Sequence, residues 1–273
     1  MPPVYHPFAW LVTRNNRRLV ECPLKEVGGH YRMDLDLIRR SIKGIRVLIL
    51  CNPHNPGGVV WKKEELQELA EICADDNVIV FSDEIHADLT LPPFHHTPFA
   101  MVSEKARNNS VTFMAPSKTF NMPGVAASHT FIHNEALRER FVNYLDAGEL
   151  NAGHVFAWPA VTAAYTEGEE WLAQCLAYIQ GNIDYVADYI KTHMPKMKVM
   201  RPQASYLIWL DCRELGLSHE DLNAFFVDKA GLALNDGEMF GKEGAGFMRM
   251  NVGCPRITLE KALQQLKAAY DTL

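Results

Sequence analysis

The chain has 273 residues, 48% hydrophobic and 22% charged, with a formal net charge of −6. These are ordinary values for a globular protein, and the length suits one large domain or two unequal ones. The acidic balance argues against a nucleic-acid or anionic-membrane surface, since either needs a basic excess. The Arg17-Arg18 and Arg39-Arg40 pairs are too short to make a patch and read as solvated surface.

Six cysteines (Cys22, Cys51, Cys73, Cys175, Cys212, Cys254) lie scattered with no CxxC pair, which suits free thiols in a reducing compartment. His95 and His96 follow His86 in a Pro-rich stretch, but no cysteine or carboxylate repeat accompanies them, so no metal site is expected. The first ten residues lack a charged region before an apolar run, unlike a signal peptide. No stretch approaches the roughly 18 apolar residues of a membrane span. A cytoplasmic protein is expected.

In chain order, residues 45–50 (IRVLIL) form the first expected strand. Residues 62–76 read as a helix, with Leu66, Leu69, Ala70 and Cys73 at i, i+3, i+4 and i+7. Residues 77–82 and 110–114 are the next strands, 128–132 a short further one, and 135–146 a helix. A long helix is expected from Glu169 to about His193, ending before Pro195. Then come a strand at 206–211, a helix at 218–230 capped by Ser218, a strand at 247–252 and a helix at 258–273. The alternation predicts an α/β fold, with a mostly parallel sheet and flanking helices, followed by a smaller C-terminal α+β domain. The expected division is 1–168, a connecting helix at 169–190, and 191–273.

Three polar groups follow three of these strands: Asn55, Asp83 and Lys118. In an open α/β sheet the strand C-terminal ends line the ligand crevice. An amide, a carboxylate and an amine gathered there suit pyridoxal phosphate: the amine meets the aldehyde, the carboxylate keeps the pyridine nitrogen protonated, and the amide donates to the ring oxygen. Taken singly, each has a plainer explanation as a turn residue, a helix cap or a surface lysine. Their joint order favours the site.

The stretches Asn52-Pro53-His54-Asn55-Pro56-Gly57-Gly58, Ser82-Asp83-Glu84-Ile85-His86-Ala87-Asp88 and Ala115-Pro116-Ser117-Lys118-Thr119-Phe120-Asn121 resemble the fold-type-I pyridoxal-phosphate enzymes, the aspartate aminotransferase superfamily. Trp209-Leu210-Asp211, the stretch from Asn235 to Gly241 and that from Phe247 to Arg256 look more narrowly like its cystathionine β-lyase-like C–S lyase branch.

The resemblance implies Lys118 as the Schiff-base lysine, Asp83 as partner of the pyridine nitrogen and Asn55 as donor to the ring oxygen. It places His86 where many relatives have a tyrosine reaching that oxygen, and Tyr5 where an aromatic residue stacks on the ring. Arg249 matches the grip on the substrate carboxylate, a role suited to a guanidinium fork. Arg256 is better explained as a solvated residue at a helix start. No arginine follows the lysine at 125–127, and Ser117 is assigned a hydroxyl contact to the phosphate instead.

Whole relatives carry a segment before the ring-stacking element, including a helix start that binds the phosphate. This chain is expected to lack it and, alone, to hold pyridoxal phosphate weakly. The expected activity is a C–S β-lyase on sulfur amino acids, working as a homodimer. A class I/II aminotransferase, or a non-catalytic remnant or interaction protein, remain the alternatives.

Overall fold

The computed structural model describes all 273 residues and divides into two compact units. One comprises residues 35–53 and 60–175, the other residues 1–34, 54–59 and 176–273. This differs from the expected division at 168 and 191: the N-terminal residues join the C-terminal ones, and the cut falls inside the long helix Glu169–His193. The reason is pairing that no local pattern announces. Val4 N–H donates to Phe240 O at 2.8 Å, and the indole N–H of Trp209 donates to the Tyr31 hydroxyl at 3.0 Å.

The unit of residues 35–53 and 60–175 is built on a four-stranded sheet in the order Val47–Cys51, Ile79–Asp83, Ser110–Met114, His129–Phe131. The first three strands are parallel and the last is antiparallel, so the sheet is mixed at one edge. The parallel strands are rich in apolar and β-branched residues, as is common for strands of a parallel sheet. Helix Lys63–Asp75 buries Leu66, Leu69, Ala70, Ile72 and Cys73 along one stripe. Each fully buried leucine of that stripe contributes roughly 1.5–3 kcal/mol. The Glu65 carboxylate accepts from Lys62 N–H at 3.1 Å and closes the helix start.

In the same unit, helices Glu135–Ala147 and Ala157–Glu167 bury no residue at all. Around them Tyr144, Val155, Phe156 and Trp158 are between 65% and 82% exposed.

The other unit carries an antiparallel sheet in the order Lys198–Met200, Leu207–Asp211, Phe247–Asn251, Asn235–Asp236. Trp209 stacks on Phe247 with ring centroids 5.1 Å apart. Helix Arg256–Tyr270 buries Leu259, Leu263, Leu266 and Ala269. Asn182, wholly buried in the long helix, donates to Val252 O and Cys254 O, each at 2.9 Å. Arg256 does open a helix, but it is not simply solvated. Its Nε donates to Asn182 Oδ1 at 2.8 Å, and its guanidinium lies 4.5 Å from the Tyr185 ring centroid. No helix is long and apolar enough to cross a membrane.

Candidate active site

In the unit of residues 35–53 and 60–175 the strand register positions the candidate residues. Cys51 is opposite Asp83, and Asp83 opposite Phe113, so the central of three parallel strands ends in the carboxylate. The strand Ser110–Met114 runs through Ala115 into a one-turn helix, Pro116–Thr119, which carries Ser117 and Lys118. Pro116 opens that helix, where its missing N–H costs nothing.

Asp83 is largely buried, and its carboxylate accepts one hydrogen bond, from Ile85 N–H at 3.2 Å. Burial pushes this carboxyl up to about 6. The Ile85 N–H and the Lys118 charge pull it back, while Glu84 adds to the rise. Asp83 and Lys118 are therefore electrostatic neighbours, as the sequence led one to expect.

Glu84 is also buried, yet fully partnered. It accepts from Ser82 Oγ at 2.7 Å and Phe99 N–H at 2.9 Å, and pairs with His96 Nε2 at 2.7 Å. The contrast separates two adjacent acids: Glu84 ties down its own loop, whereas Asp83 keeps acceptor capacity open. His86 is buried, 6% exposed, just before the short turn Ala87–Leu89. The Ser117 hydroxyl has no hydrogen-bond partner within the protein, and its carbonyl accepts from Met122 N–H at 3.1 Å.

Tyr5, Asn55 and Arg249 belong to the other unit. Tyr5 N–H donates to Asn55 O at 3.1 Å. Asn55 Oδ1 accepts from Arg249 Nη1 at 3.0 Å, which leaves the amide nitrogen of Asn55 as the donor end. Arg249 also donates from Nη2 to Asn235 Oδ1 at 2.8 Å, and its guanidinium lies 4.7 Å from the Phe240 ring centroid. Both hydrogen-bond partners are neutral amides, and no carboxylate pairs with this half-buried cation. Its Nε is buried without a partner, and burial holds the guanidinium below its usual range. A cation so placed is complementary to an incoming carboxylate. Asn235 and Phe240 escaped the sequence reading: both lie in a quoted motif, but nothing local shows that they meet Arg249.

His54 fixes the loop that bears Asn55. Its Nε2 donates to Pro3 O at 2.9 Å, and its Nδ1 accepts from Gly57 N–H at 3.3 Å, so the partners define a neutral ring. Gly57 is required by close approach, since a Cβ there would lie 2.6 Å from the Tyr31 ring. Burial drives the His54 pKa from 6.5 down to about 3, with the Pro3 carbonyl opposing. The unfolded chain therefore takes up this proton near pH 6.5 and the folded chain only near pH 3. Stability contributed by this group is intact above pH 6.5 and lost as pH falls toward 3, at up to about 1.4 kcal/mol per pH unit. Urea unfolding between pH 7 and 4 should show a distinctly shallower acid loss in His54→Gln than in the unaltered protein.

Comparison with known proteins shows the family. The family model for class I and II aminotransferases matches residues 1–266, and the chain belongs to that family. Cystathionine beta-lyase PatB of Bacillus subtilis is 42% identical over 98% of this chain and 70% of its own length. A PLP-bound putative aminotransferase from Clostridium difficile superposes with a TM-score of 0.96 at 42% identity, covering 98% of this chain and 70% of that one. Cystalysin from Treponema denticola, whose crystal structure contains pyridoxal 5'-phosphate, gives a TM-score of 0.95 at 34% identity over 99% of this chain and 69% of its own.

Proposed function

We propose that this protein is a pyridoxal-phosphate-dependent C–S β-lyase acting on sulfur amino acids. The observation that carries the proposal is the environment of Asp83: a buried carboxylate beside Lys118, with a single backbone hydrogen bond and no cationic side chain bonded to it. A protonated ring nitrogen supplies the missing partner, so the residues present fit the cofactor. When bound, pyridoxal phosphate provides an electron sink for the pair left at the substrate α-carbon.

The chain's own residues then have separate tasks. Arg249 grips the α-carboxylate. The Nζ of Lys118 takes the α-proton as general base. Asp83 holds a proton at the ring nitrogen, Asn55 and His86 serve the ring oxygen, Tyr5 stacks on the ring, and Ser117 donates to the phosphate. Once the Cα–H bond has broken, the electron pair forms the Cα–Cβ double bond as the Cβ–S bond breaks and a thiolate leaves; the three-carbon product goes with water to pyruvate and ammonia. Supplied with pyridoxal phosphate and cystathionine, the protein should release pyruvate and homocysteine in equal amounts. A keto acid appearing only when a second 2-oxo acid is added would instead mark transamination.

Removing the carboxylate grip should act mainly on binding. Hydrogen bonds to a charged group are worth about 1.5–3 kcal/mol, so Arg249→Ala should raise KM by about 10- to 150-fold in steady-state assays. A proportionate fall in kcat with KM unmoved would remove Arg249 from this role.

The proposal includes cytoplasmic localisation, in keeping with six unpaired cysteines, and a homodimer. Support for the dimer is the exposed apolar set Tyr144, Leu150, Val155, Phe156 and Trp158, which is larger than isolated surface hydrophobics explain. Sedimentation at micromolar concentration should give twice the chain mass, and Trp158→Glu should shift it toward monomer.

A further inference from the structure

The turn that carries Lys118 is anchored by contacts that none of the roles above requires. Thr119, the next residue, is 2% exposed, and its hydroxyl donates to Asp88 Oδ2 at 2.9 Å. The same oxygen accepts from the Tyr165 hydroxyl at 3.1 Å. Phe120, one residue further on, meets the Tyr165 ring edge-on at 5.2 Å and lies 6.1 Å from Trp171. Gly168 makes room for it: a Cβ there would fall 2.7 Å from the Phe120 ring. Tyr165 thus reaches both residues after Lys118, the first through Asp88 and the second through its ring.

Asp88 lies five residues beyond Asp83 in the same segment. It has no lysine or arginine partner; its carboxylate is bonded by the two hydroxyl donors, and its charge also supports the protonated form of His129 against burial. Asp88 also raises the Tyr165 hydroxyl, second to burial, which keeps that group a donor. A carboxylate accepting two O–H bonds is a strong local fixing point.

We propose that Asp88, acting through Thr119 and Tyr165, is a positioning residue that holds the Lys118 turn in register for proton transfer. The inference rests on the reading of Lys118 as the proton-transferring amine. Transfer needs heavy atoms within roughly 2.6–3.2 Å, and a misplacement of about 1 Å can cost a hundredfold. A slack turn would be felt in the chemical step and hardly in substrate binding.

The test uses the protein saturated with pyridoxal phosphate, and compares Asp88→Ala, Asp88→Asn, Thr119→Val and Tyr165→Phe. Two readouts are taken: kcat and KM for cystathionine, and the rate at which borohydride fixes the aldehyde to Lys118, followed by peptide mapping. Asp88→Ala should lower kcat by about 10- to 100-fold with KM within about threefold, and slow labelling of Lys118 by about tenfold. Asp88→Asn, which still accepts both hydroxyls, should recover most of each loss. Thr119→Val preserves shape and should reproduce about a tenfold loss, so the test stands even if Asp88→Ala fails to fold. Wild-type kcat and labelling in Thr119→Val, or a loss that Asp88→Asn does not recover, overturns the inference. An unaltered protein that is not labelled at Lys118 overturns the functional reading, and this inference with it.

Discussion

Replacing Asp83 with asparagine is expected to strengthen the fold while removing activity. The carboxyl is held up to about 6 by burial, against an ordinary value of 3.8. Between those two pH values the folded chain binds more protons than the unfolded one, so this group's contribution to stability falls as pH rises. The penalty is absent below about pH 4 and complete above about pH 6. A shift of this size corresponds to at most about 3 kcal/mol, so Asp83→Asn should gain about 1–3 kcal/mol at pH 8 and nothing at pH 4, by urea unfolding without cofactor. In the proposed function the same change removes the charge that would keep the pyridine nitrogen protonated, and kcat should fall by at least about a hundredfold, as for other buried electrostatic groups at reaction centres. A variant that is less stable at pH 8 would contradict the account of Asp83 as an acid penalised by burial.

Lys118→Ala should give the other large effect. Loss of a general base costs about 10²–10⁴-fold, and in the proposed function this lysine also carries the cofactor, so turnover of cystathionine should drop by at least about 10⁴-fold. Borohydride reduction of the unaltered protein with pyridoxal phosphate should label Lys118 alone. Peptide mapping that finds the label on another lysine would refute the assignment. Free methylamine restoring part of the Lys118→Ala rate would show that an amine, and not the shape of the side chain, is what is lost.

The elements legible in the sequence were those with a strong local period. The strand Ser110–Met114 and the long helix Glu169–His193 stand where the pattern put them. Helix 218–230 is shorter than its pattern, ending as an α-helix at Ala224 and continuing as a widened turn over Phe225–Lys229. Its cap is as expected: Ser218 Oγ accepts from Asp221 N–H at 3.1 Å. The hairpin Lys25–Val27/His30–Arg32 was overlooked because three-residue strands show no alternation, although Gly28 and Gly29, at φ 61° and 77°, form the turn such a hairpin needs. Helix Ala157–Glu167 was overlooked because its apolar residues follow no period and Pro159 interrupts them, a residue tolerated only near a helix start.

The candidate site was legible only as neighbouring strand ends. Strand order alone brings Asp83 beside the Lys118 turn, and that follows from consecutive parallel strands. The supports of those residues were not legible. Asn235 lies 14 residues from Arg249, Asp88 31 from Thr119 and 77 from Tyr165. Such contacts are made by the tertiary fold, which no window of the sequence contains.

Gly168 has a meaning for sequence variation that its backbone conceals. At φ −90° and ψ 3° it sits in a conformation that any residue adopts, at the end of a helix and 50 positions from Lys118. Judged by backbone alone it is a replaceable surface glycine. Yet a methyl group there would press on both Ala164 O and the Phe120 ring, and the ring stands two residues from the amine. Change at position 168 is therefore restrained by packing against the segment that carries Lys118. A smaller side chain at 120 would relieve only the ring contact, so Gly168→Ala should destabilise the protein even beside Phe120→Ala.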